Sequence, residues 1–70
     1  MNILEKCLKD LLNQKTLLEG RLEIVVNDPY MSTELKFNKT MDLLKQIGDL
    51  QNIIGLTTIY ITQNKKDENN

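Results

Sequence analysis

Asn27-Asp28-Pro29-Tyr30-Met31-Ser32-Thr33 is the one strong break in this 70-residue chain. On either side of it runs a leucine-rich stripe. Upstream the stripe reads Leu4, Leu8, Leu11, Lys15, Leu18, Leu22, Val25; downstream it reads Leu43, Ile47, Leu50, Ile54, Thr57, Ile61. Both alternate steps of three and four, the spacing that lines side chains along one face of a helix. The pattern predicts an all-α fold, an antiparallel helical hairpin whose apolar faces need partners.

Asn2 is placed to cap the first helix, with Glu5 three residues on in the capping-box position. That helix is expected over residues 3–26. Lys15 alone interrupts its seam, either as a polar position that sets register or as a lysine whose stem runs along the groove. Gly20 costs about 1 kcal/mol relative to alanine but leaves the stripe in phase. The β-branched run Leu22-Glu23-Ile24-Val25-Val26 admits a strand instead. Helical propensities differ by only tenths of a kcal/mol per residue, less than in-phase burial contributes.

After the break, Asp28-Pro29 is a helix-start signal, and Ser32 offers a second cap with Glu34 near the positive helix end. The turn is expected over residues 27–32 and helix 2 over residues 33–62. Gly55 is a candidate stop. The segment behind it, Leu56-Thr57-Thr58-Ile59-Tyr60-Ile61-Thr62, is β-branched and alternating, so a short C-terminal strand is the alternative. The polar tail, residues 63–70, is expected to be disordered.

Folded at Pro29, such a hairpin pairs Leu22 with Phe37, Leu18 with Met41, Leu11 with Ile47 or Gly48, and Leu4 with Ile54 or Gly55. Leu56, Ile59, Tyr60 and Ile61 then run past the start of helix 1 with nothing opposite them. Ile3, Cys7, Leu12, Leu17, Leu35, Leu44 and Ile53 flank the seams, making the faces wider than one partner helix covers. The expected self-association or partner-binding residues are therefore Leu12, Leu17, Leu44, Leu56, Ile59, Tyr60 and Ile61, and the expected assembly is a dimeric four-helix bundle.

Composition narrows the function. A chain this short buries only about 60% of its unfolded surface, so a lone core is marginal. Disulfides, a metal or oligomerisation usually make up the difference. Cys7 is the single cysteine and histidine is absent, which excludes an internal disulfide and leaves no zinc-type ligand set. Catalysis by a histidine-activated nucleophile is excluded on the same ground. Cys7 beside Leu8 and Leu11 is expected to be a buried structural thiol. No cofactor or metal site is predicted. Nine basic against ten acidic residues, interspersed, argue against a nucleic-acid surface. Lys36, Lys39 and Lys45 are interrupted by Asp42 and Asp49. No apolar run approaches the roughly 18 residues of a membrane span, and no signal peptide is legible at the N-terminus. A lone thiol fits a reducing compartment, so a cytoplasmic location is expected. Alanine is missing and eight lysines face one arginine. That is the bias of an AT-rich genome, consistent with a phage or mobile element.

The stretch Leu35-Lys36-Phe37-Asn38-Lys39-Thr40-Met41-Asp42-Leu43-Leu44 resembles the second-helix signature of the small sporulation aspartyl-phosphate phosphatases, short helical hairpins that dock on a response regulator. Their signature is Ser-Gln-Glu-Leu-Asp, then an aliphatic pair and a tyrosine. Asp42 matches the aspartate, Met41 the leucine, Asn38 the serine and Leu44 one aliphatic. Lys39, Thr40 and Gly48 stand where the family has glutamine, glutamate and tyrosine. The resemblance implies phosphatase activity carried by Asp42. The residues themselves favour a protein-binding regulator, inhibitor or adaptor without enzymatic activity. A structural subunit of a larger assembly is the other alternative.

Overall fold

The computed structural model describes residues 2–68, with side chains through residue 65. It is an all-α helical hairpin: α1 spans Ile3–Val26 and α2 spans Thr33–Glu68, packed along each other. The body is 57 Å long and 17 by 13 Å across. At 1.5 Å per residue α2 is about 54 Å long, so that one helix sets the length.

Each boundary has a local cause. The Asn2 side chain accepts the Leu4 N–H at 2.9 Å and its carbonyl accepts from Lys6, which satisfies donors that open the first turn. At the far end Asn27 closes α1 twice over. Its backbone N–H and its side-chain amide both donate to the Glu23 carbonyl, at 3.1 and 2.9 Å. No described residue takes a positive φ, so the helix ends without a left-handed cap.

Asp28 does not start α2. Its carboxylate accepts the backbone N–H of Tyr30 at 2.8 Å and of Met31 at 3.1 Å, a turn closed by a side chain. Ser32 caps α2 instead: its hydroxyl accepts from Leu35 and its carbonyl from Lys36.

The β-branched segment after Gly55 is helical, and its hydroxyls show how. Thr57, Thr58 and Thr62 donate back to the carbonyls of Ile53, Ile54 and Thr58, at 2.7, 2.8 and 3.0 Å. A threonine that bonds four residues back stays satisfied inside a helix. There is no strand among the described residues, and residues 22–26 are helical as well. The helix continues through residues 63–68, where a disordered tail was expected; residues 69 and 70 lie outside the described part.

Burial picks out the two stripes. On α1 the covered positions are Leu4, Leu8, Leu11, Lys15, Leu18, Leu22 and Val25. On α2 they run Thr40, Leu43, Ile47, Leu50, Ile54, Thr57 and Ile61, with Lys36 before them. Leu18 and Thr57 are the most enclosed of the described residues, each 9% exposed. Running in opposite directions, the two sets mirror each other about Ser32 and Thr33. Leu4 falls level with Ile61, Leu8 with Thr57, Leu18 with Ile47, and Val25 with Thr40. Two grooves between the helices agree, one joining Val25 to Leu43 and the other Leu18 to Gln46.

This register corrects the one expected from a fold at Pro29. Phe37 and Met41 are 63% and 40% exposed, so they do not face Leu22 and Leu18 across the seam. Residues 27–32 carry the chain on past the end of α1 before it reverses at Ser32 and Thr33, which slides α2 by about six residues. The expected apolar overhang therefore does not exist. Residues 56–61 lie alongside the first turns of α1, and what extends beyond Ile3 is the polar segment after Thr62.

Candidate interaction faces

With the seam fixed, the remaining apolar residues fall on two sides of the hairpin. One side is marked by a groove of about 320 Å³ lined by Arg21, Ile24 and Val25 of α1 and by Lys39, Asp42 and Leu43 of α2. A second groove on the same side brings Gln14, Leu17 and Arg21 against Gln46. Steps of three, four and seven along each helix carry this front face to Ile3 and Cys7 on α1 and to Leu35, Ile53, Leu56 and Tyr60 on α2. It is apolar towards both ends, with Arg21, Lys39 and Asp42 between.

The opposite side holds Leu12 and Val26 of α1 and a stripe on α2. That stripe runs Phe37, Met41, Leu44, Gly48, Gln51, Gly55, again in steps of four and three. Phe37, Met41 and Leu44 are 63%, 40% and 48% exposed. A Cβ placed on Gly48 or Gly55 would meet nothing within 4 Å. The glycines therefore answer no packing need within the hairpin.

The residues expected to bind partners are thus divided. Leu12 and Leu44 share the back face. Leu17, Leu56 and Tyr60 share the front. Ile59 is exposed and, about five helical turns on from Met41, borders the back face, while Ile61 is half-buried in the seam against α1 and is not a surface residue. Cys7 is exposed on the front face, not the buried thiol that its leucine neighbours implied, because it sits one position outside the seam. Asp42 is exposed and shares the front groove with Arg21 and Lys39. Ile24, Val26 and Phe37 were not among the expected binding residues. The spacing Leu17 to Ile24 and Phe37 to Leu44, seven residues in each case, was the available signal.

Among the described residues no three His, Cys, Asp or Glu side chains cluster as metal ligands. No helix of the described residues is long and apolar enough to cross a membrane. Comparison with family models, curated proteins and solved structures found no match.

Proposed function

We propose that this chain is a protein-binding regulator, inhibitor or adaptor that works as a dimer of hairpins through its apolar flanks. The observation that carries this reading is surface area. The hairpin exposes 5654 Å². A compact monomer of 8.1 kDa exposes about 4,500 Å². The excess is about 1,150 Å² per chain, on the order of what one partner buries in a standard to large interface, upwards of about 800 Å². Large apolar side chains are part of that surface: Phe37, Leu17, Ile24, Leu56 and Tyr60 are each more than half exposed. Covering such surface is the driving force of association.

A dimer that covers one face leaves the other for a different protein. Sedimentation at micromolar concentration is the first test, with a mass twice 8.1 kDa expected. A compact monomer that melts cooperatively overturns the dimer. For the partner, charge placed on the front face at Leu17 and Leu56 is expected to abolish capture while the dimer persists.

A second reading rests on the resemblance around Asp42 and on that side chain's open position beside Arg21 and Lys39. Loss of aspartyl phosphate from a response regulator, absent with Asp42→Asn, is its test.

A further inference from the structure

The back face carries a geometry of its own. On α2 its stripe begins with three large apolar side chains and carries two glycines in its second half: Phe37, Met41, Leu44, then Gly48, Gln51, Gly55. Reversed end for end about Gln46, the stripe complements itself. Phe37 falls on Gly55, Met41 on Gln51 and Leu44 on Gly48. Reversal about a point is what a two-fold axis across antiparallel helices performs, each residue meeting its reciprocal in the other copy.

We infer that two hairpins meet back to back across one such axis, at the level of Gln46 and Glu19, with Phe37 of each copy seated over the partner's Gly55. The inference rests on the self-association proposed above and specifies its face and register.

The first helix supplies an independent check. The seam register sets Glu19 of α1 level with Gln46 of α2. Leu12 and Val26, the exposed apolar side chains of α1 on this side, lie seven residues before and seven after Glu19. The same axis therefore exchanges them, Leu12 of each copy facing the partner's Val26. Nothing in the α2 stripe required this.

The glycines fit the same contact. Glycine in a helix interior is unfavourable, and here the missing Cβ relieves no clash within the chain. Opposite a second helix it allows close approach and leaves room for Phe37 and Leu44. The stripe also lies about 100° around α2 from the seam, the angle by which a helix of a square four-helix bundle meets its two neighbours. The occupant this face fits is thus a second copy of the same chain.

Mixed disulfide formation tests the register. In a Cys7→Ser background, the Phe37→Cys chain and the Gly55→Cys chain are mixed, refolded together and oxidised. A disulfide between the two chains is expected, and neither chain alone should cross-link, because identical positions lie about 27 Å apart along the bundle. The pair Met41→Cys with Gln51→Cys gives the same test without removing Phe37. Gly48→Leu and Gly55→Leu, which fit the open space of the hairpin, should each weaken dimerisation at least 100-fold while helicity holds. A wild-type dimer that gives no mixed disulfide, or that survives Gly48→Leu, overturns this face but leaves self-association standing. A wild-type monomer, or a back face that takes only a different protein, overturns both.

Discussion

The Asp28 carboxylate accepts the Tyr30 backbone N–H at 2.8 Å, within a turn that also ties down Met31. Aspartate before proline ordinarily opens a helix at the proline. Here the same side chain closes a loop, and α2 waits for Ser32. Four residues of helix would add about 6 Å of rise on one side of the hairpin. The register of every pair across the seam depends on which of these two uses of Asp28 wins.

Asp28→Ala removes both bonds, leaving the exposed Tyr30 N–H to water and the part-buried Met31 N–H without its acceptor. A loss of about 1–2 kcal/mol is expected in urea unfolding at fixed protomer concentration. Asp28→Asn keeps an acceptor oxygen and should lose less than half of that. Equal stability for all three proteins would show that the turn is held by something else.

Leu18 and Leu17 are neighbours in sequence and opposites in structure, 9% and 65% exposed. Leu18→Ala should cost about 2–5 kcal/mol, a large share of the stability of so small a domain. Leu17→Ala lies off the seam and away from the back face, so a change within about 0.5 kcal/mol is expected. Thermal melts of the two variants, compared at one concentration, decide the seam.

The seam itself was legible because burial follows phase. Every one of the seven α1 positions from Leu4 to Val25 was given by steps of three and four. The register was not legible in the same way. The turn bounds, residues 27–32, were as expected, but the path those residues take past the end of α1 rests on local bonds such as those from Tyr30 and Met31 to Asp28, which the stripes do not report. The helix across Thr57 and Thr58 was obscured by a different competition. β-branching favours a strand on average, but a hydroxyl that reaches the carbonyl four residues back, together with burial of Thr57, outweighs that preference. Once the register moved, the candidate site moved with it. Ile61 came to lie against the start of α1, whereas Leu12 and Leu17 part for a different reason, since five residues of helix turn them about 140° from each other.

Ile59 and Ile61 now make a paired test of that shift. Ile61 is half-buried against the start of α1, and Ile59 is 53% exposed and off the seam. A carboxylate at the seam loses apolar burial and is partly desolvated, so Ile61→Asp should destabilise by about 2–3 kcal/mol. Ile59→Asp, off the seam, should change the stability of the isolated hairpin by no more than about 0.5 kcal/mol. Had residues 56–61 been an overhang, the two substitutions would act alike, and neither would alter unfolding of the hairpin.

Gly20, Gly48 and Gly55 are equivalent within one chain: each is helical and exposed, and none has an atom within 4 Å of a Cβ built on it. Alanine at any of them should stabilise the isolated hairpin by about 1 kcal/mol through helix propensity alone. Their positions relative to a second copy differ. Gly20 lies on the outer side of α1, whereas Gly48 and Gly55 lie on the back stripe of α2. Gly20→Ala should therefore raise the melting temperature at every protein concentration and leave the dimer dissociation constant unchanged. Gly48→Ala should raise stability only under dilution, where monomers dominate, and lower it at high concentration, where the added methyl opposes close approach. Melting measured across a hundredfold range of concentration separates these behaviours, and parallel curves for the two variants would remove Gly48 from the interface.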